Sequence, residues 1–169
     1  MKSAIFIFLF CVPAVLKANN FGFGNIPQRD VAVGPSIAHV SFDGGSAMAV
    51  NADISWSYDI FSLSVNGKMV RGDDTSLWGV QLEGTIYLIA NLGAGMGFLS
   101  GDGTTEPCVH LFVGLPLGSS LRSISNTLHE VFQPPFKGGF IEPYYRLNWF
   151  NGKVFHEVGV FFKLTTWGF

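Results

Sequence analysis

Charge is what this sequence is short of. Lys, Arg, Asp and Glu together make up 13% of it, about half the share usual in a soluble domain. The formal net charge is −2 and no run of Lys or Arg gathers anywhere, which excludes nucleic acid as an expected partner. Cysteine is nearly absent, with Cys11 and Cys108 only, so a disulfide-stapled secreted scaffold is excluded. The four histidines, His39, His110, His129 and His156, show no ligand spacing; neither a metal nor a cofactor is expected. Past Leu16 no apolar run approaches the ~20 residues a membrane helix needs. What remains plentiful is Gly, at 21 residues, and aromatic side chains, at 15%. High apolarity without helical spans points to a chain whose outward face meets lipid through strands.

Residues 1–18 carry an early positive charge at Lys2, an apolar core over 4–16 and a small residue at Ala18, the layout of a secretory signal. Phe10 before Cys11 is too large for a lipoprotein cleavage site. The expected organisation is a signal peptide over 1–18 and a single domain over 19–169.

Within that domain the apolar residues alternate. Residues 47–56 set Met48, Val50, Ala52, Ile54 and Trp56 against Ala47, Ala49, Asn51, Asp53 and Ser55, a strand with unlike solvents on its two sides. The same pattern recurs over 61–69, 77–90, 93–99, 107–117, 140–149 and 154–169, with a first strand over 31–42 weakened by Pro35. Pro143 is awkward in a paired strand and is expected to mark a bulge. Turn signals separate the strands at 43–46, near Asp59, at 71–76, near Asn91, at 100–106 and at Asn151-Gly152. The alternating glycines of 93–99 would leave space on the inner face. One stretch breaks the pattern: Leu121, Ile124, Leu128, Val131 and Phe132 fall at helical spacing after Ser119 and before Pro134-Pro135. The fold expected is therefore all-β, an eight-stranded antiparallel transmembrane barrel with one short amphipathic helix, 119–132, between strands six and seven.

The last strand carries a resemblance. With Val158, Val160, Phe162 and Leu164 leading to Trp167 and a final Phe169, it resembles the closing strand of bacterial outer-membrane β-barrels, whose last residue is commonly Phe or Trp. That resemblance implies the outer membrane of a Gram-negative bacterium as location, outer-membrane lipid as surroundings, and the barrel-assembly machinery as a partner that reads Trp167 and Phe169. Its nearest kin are the small non-enzymatic barrels with structural or surface-interaction roles; no motif names a ligand for the loops. The resemblance also puts the carboxyl terminus in the periplasm, so that the connections at 43–46, 71–76, 100–106 and 150–153 face outward and periplasmic turns are short.

Alternation gathers Asp53, Lys68, Glu83, Glu142 and Arg146 on the inner face, with Tyr87, Tyr144, His39 and His110 nearby. An eight-stranded barrel is just wide enough for its side chains to fill, so these charges must compensate one another: Glu83 or Glu142 is expected to pair with Lys68 or Arg146. In the last strand an ionised Lys in the lipid band costs about 2–4 kcal/mol. Hence Val158, Val160, Phe162 and Leu164 are expected outward, Glu157 and Lys163 inward, and a bulge or frayed pairing near 165–168 would return Trp167 and Phe169 to the interface as anchors. Two alternatives stand beside this. Buried charges in a membrane can line a narrow channel. The outer-membrane lipid A deacylases are also small barrels, with a His-x-Ser-Asn motif; the matching run here, Ser123-Ile124-Ser125-Asn126 beside His129 and Glu130, keeps Ser125 and Asn126 but lacks the adjacent His.

Overall fold

The computed structural model describes residues 29–58, 60–73, 75–87, 90–101, 103–117 and 136–166. The signal segment, the 119–132 helix with Ser123, Ser125, His129 and Glu130, and the terminal Trp167 and Phe169 lie outside them.

Eight strands follow one another: β1 (Arg29–Phe42), β2 (Gly45–Tyr58), β3 (Phe61–Arg71), β4 (Ser76–Tyr87), β5 (Asn91–Gly101), β6 (Thr104–Gly114), β7 (Phe136–Phe150) and β8 (Lys153–Thr166). Each pairs antiparallel with the next, and β8 returns to β1, closing a barrel. The closure leaves no free sheet edge, as a chain in lipid requires. Paired residues traced from Ala32 through Ser55, Ser64, Glu83, Gly95, His110, Asn148 and Phe155 return to β1 at Phe42, ten positions further on. Such a stagger tilts the strands by roughly 35–45° to the barrel axis.

The prolines are accommodated by where the ladders stop. Between β1 and β8 the register runs through Val33–Leu164 and resumes at Ser36–Phe161. Pro35, which has no N–H to give, occupies that gap. At Pro143 the expected bulge is absent, and the residue pairs in register with Val160. In an antiparallel strand a residue's N–H and C=O point to the same neighbour. Since the Pro143 carbonyl accepts from Leu115 N at 2.9 Å, its missing donor falls on the β6 side, just beyond the last paired residues, Gly114 and Tyr144. The register shift lies instead between Phe136 and Gly138, opposite Thr166 and Thr165.

Four connections share one end of the barrel, here called the rim: 43–44, 72–75, 102–103 and 151–152. All are short. Asn151 and Gly152 both have positive φ, 49° and 68°, the backbone of a tight primed hairpin turn. At the opposite end, the base, β4 ends at Tyr87 and Asn91 already belongs to β5, so Asn91 is a strand residue and not the expected turn. The longest connection, 115–135, is also at the base, the reverse of the usual barrel asymmetry.

The two faces differ as alternation requires. Met96, Trp78, Phe98 and Ile54 are 60–66% exposed on the outer wall, while the inner face of the same strands is buried and largely polar. Trp78, Phe98 and Trp149 lie toward the rim, Trp56, Tyr58 and Phe61 toward the base, the two aromatic bands that flank an apolar belt ~25 Å tall in membrane barrels. With this polarity, the chain is an integral membrane barrel.

Candidate site in the barrel lumen

The lumen is layered. Nearest the rim, each strand sends one apolar or weakly polar side chain inward: Val40, Ala47, Val70, Leu77, Leu99, Cys108, Phe150 and Phe155, in one packed cluster. Leu99 is wholly inaccessible and Val40, Val70 and Cys108 nearly so. This layer plugs the lumen at its rim end.

Below it the charges meet. Glu157 is the hub: it accepts from Lys68 Nζ at 2.5 Å, Tyr144 Oη at 2.6 Å, Asn51 Nδ2 at 3.1 Å, and Arg146 Nη1 and Asn148 Nδ2 at 3.4 Å. Arg146 also donates to Glu83 Oε2 at 2.9 Å, and His110 Nε2 lies 2.8 Å from the same oxygen. The guanidinium is held between rings, 5.3 Å from the centroids of both Phe112 and Tyr144, where cation–π attraction adds to the ion pairs. Toward the base a second group forms, with Lys163 Nζ 3.0 Å from Asp53 and 3.3 Å from Glu142. Glu142 also accepts from Asn91 Nδ2.

These contacts assign the partners. Glu83 pairs with Arg146, as one expected combination has it, but Glu142 pairs with Lys163 and Lys68 with Glu157. All seven expected residues point inward: Asp53, Lys68, Glu83, Glu142, Arg146, Glu157 and Lys163 are each no more than 6% exposed. The structure divides them into two groups, one at mid-barrel and one nearer the base. The four carboxylates thus face Lys68, Arg146 and Lys163, with the His110 imidazole hydrogen-bonded to Glu83. Buried charges persist only when so compensated. His39, in contrast, lies on the outer wall. Its expected inward position is wrong because β1 carries small residues inside and apolar ones outside, so its two faces differ little in hydropathy. The outer wall there has its own polar pair, Tyr145 Oη and His156 Nδ1, 2.7 Å apart.

The site also uses residues that charge alone does not flag. Asn51, Tyr144 and Asn148 tie the hub together, and Ser36 accepts from Asn51 at 2.7 Å. Their signal was parity, since each stands on the same face as a buried charge. Asn66, Gln81 Oε1, His110 Nδ1 and Arg146 Nε have no protein partner, spare hydrogen-bonding capacity that suits a lumen holding some water. The glycines of β5 do not leave the space that alternation suggested. A Cβ on Gly95 would stand 2.4 Å from His110 Cε1: the glycine admits the imidazole that reaches Glu83.

Among the described residues no group of His, Cys, Asp or Glu could hold a metal ion. The described histidines with side-chain hydrogen bonds, His110 and His156, bond Glu83 and Tyr145 and no serine.

No family model matches the sequence, and no curated protein matches it. Among solved structures, Neisserial surface protein A (NspA) is similar over 81% of this chain and 96% of its own, with a TM-score of 0.57 and 11% identity. Ail, the attachment invasion locus protein of Yersinia pestis, solved with the heparin analogue sucrose octasulfate, aligns over 80% of this chain and 97% of its own at 11% identity. Its TM-score of 0.38 is too low to carry the fold. The likeness to NspA, with the closed barrel itself, places this chain in the fold of the small eight-stranded outer-membrane β-barrels.

Proposed function

We propose that the chain is a non-enzymatic outer-membrane barrel with a structural or surface-interaction role. It is seated with its rim outside the cell and its base in the periplasm. The observation that carries this reading is the inverted polarity of the barrel, an apolar wall around a lumen whose charges are spent on one another. Outer-membrane lipid surrounds the wall, and the barrel-assembly machinery reads the closing strand through Trp167 and Phe169. Because the rim connections are so short, surface interaction falls to the rim itself and the wall just below it. A channel role is disfavoured by the apolar plug from Val40 to Phe155, which closes the lumen where ions would have to enter. The lipid-modifying alternative draws no support from the described lumen residues, where the carboxylates and basic groups bind one another; its Ser125 and His129 lie outside them.

The test is fractionation of cells with comparison of gel mobility before and after boiling, followed by conductance measurements on the purified barrel in planar bilayers. Membrane recovery, heat-modifiable mobility and no steady conductance are expected. Recovery in the soluble periplasm would overturn the membrane reading; a stable open state would overturn the structural one.

A further inference from the structure

An ionisable side chain that faces lipid is costly, and where one stands it points to a partner. On β4, β5 and β7 the wall toward the rim carries Trp78, Phe98 and Trp149, the usual interfacial aromatics. Over β8, β1, β2 and β3 the wall just under the rim holds instead His156, His39, Ser41, Ser46 and Arg71. Ser41 pairs across the β1–β8 seam with His156 and, on its other side, with Ser46. One wall position further from the rim stands His39, whose row runs through Met48 to Arg71, roughly 10 Å away across two strand spacings. His39, Ser46 and Arg71 are exposed, Ser41 and His156 half-buried.

The depth of this group fixes what it meets. Val154, the wall residue above His156, pairs with Trp149, so the group lies at the level of the rim-side aromatic band, where lipid headgroups begin. Tyr145 holds the His156 ring, with its Oη 2.7 Å from Nδ1. A phenol that donates there leaves the neutral ring's proton on Nε2. Imidazole N–H groups, two serine hydroxyls and a guanidinium can all donate, and the last carries a permanent charge. Asp43 and Asp73 stand farther out, on the rim turns, so a ligand at wall level meets the donors first. Such a set suits an ionised phosphate oxygen, to which charge-assisted hydrogen bonds are short and strong. Acyl chains alone would leave those donors without acceptors, which is unfavourable.

We infer that the rim-side wall from β8 to β3 docks the anionic phosphate headgroup of an outer-leaflet lipid. His39, His156 and Arg71 are its principal donors, and Tyr145 positions His156. The site rests on the proposed membrane seating with the rim outside. Native mass spectrometry of the barrel released from nanodiscs of phosphatidylcholine and phosphatidylglycerol tests it. Phosphatidylglycerol, whose phosphate has no cation of its own, should be enriched among the adducts. His39→Leu combined with His156→Leu should cut that enrichment about tenfold, as the loss of charge-assisted hydrogen bonds implies. Arg71→Gln should cut it several-fold. Tyr145→Phe should lower it in the wild-type background and add nothing in the His156→Leu background, because the phenol acts through that ring. Trp78→Leu, on the opposite sector, should leave it unchanged, and equal loss there would make the preference a property of the whole wall and overturn the site. Loss in Asp43→Asn would mean a cation bridging lipid and carboxylate, and would overturn direct docking. Adducts of inorganic phosphate on the detergent-solubilised barrel, without lipid enrichment in nanodiscs, would overturn the lipid source. A wild-type barrel that inserts, with heat-modifiable mobility, yet shows no enrichment refutes the site alone; a chain that never inserts refutes the membrane reading on which it depends.

Discussion

Val80 and Gln81 are neighbours on β4, yet one is 54% exposed and the other fully buried. Below the apolar layer at the rim, the described strands repeat that contrast: their wall is apolar and open, their interior largely polar and closed. In a water-soluble protein the burial of apolar surface drives folding. Here the wall gains nothing from its own packing, and the interior must be held by ion pairs, hydrogen bonds and the closed ladder. What the comparison teaches is that the fragile half of this barrel is the inside, where every charge depends on a specific partner. Outside, a side chain needs only to be apolar.

The contrast can be broken most strongly at the hub. Glu157→Gln leaves Lys68 and Arg146 with a neutral partner, and loss of one member of a buried pair costs about 3–5 kcal/mol. Adding Lys68→Met should restore part of that loss, because the cost lies in the unpaired charge. Urea unfolding of the barrel in lipid vesicles measures both. If the single variant unfolds like the wild type, the lumen is wet enough to solvate its charges and the comparison fails. On the wall, Val80→Arg should cost about 2–4 kcal/mol at mid-bilayer depth, while Val80→Leu should be within about 0.5 kcal/mol of wild type. Equal tolerance of both would mean that Val80 does not face lipid. The smallest effect sharpens the comparison at one glycine type. Gly95→Ala forces His110 and the Leu82 carbonyl, each 2.4 Å from the new Cβ, to shift, at about 1–3 kcal/mol. Gly84→Ala on the wall, with nothing within 4 Å, should cost nothing or stabilise slightly through the unfolded chain. Matching unfolding midpoints for the two would show that the lumen yields as easily as lipid.

Strict alternation made most of this legible beforehand. In β2, β3 and β6 a two-residue period with unlike faces leaves one assignment of inside and outside, because a one-residue slip would put every polar side chain into lipid. In β8, apolar on both sides, alternation left two registers open, and the cost of an ionised Lys in lipid placed Glu157 and Lys163 inward. In β1 the same reasoning misplaced His39, since Ala32, Ser36 and Ala38 are small where Tyr144 and Phe161 need room, and small residues give little contrast with an apolar outer face. Asn91 read as a turn because its side chain was judged by propensity, whereas its role comes from Glu142 across the lumen.

By itself, then, the sequence determined the number of strands, their facing and the set of residues that would share the interior, because those depend on local period and turn chemistry alone. Arg146 meets Glu157, and Glu142 meets Lys163, across the β7–β8 hairpin, but which residues of distant strands meet was decided only by the closed barrel. Its ten-residue stagger sets the height of inward side chains on strands far apart in the chain, and so brings Lys68 to Glu157, 89 positions away. No local pattern carries that information, since the stagger belongs to the ring of eight strands and to none of them singly.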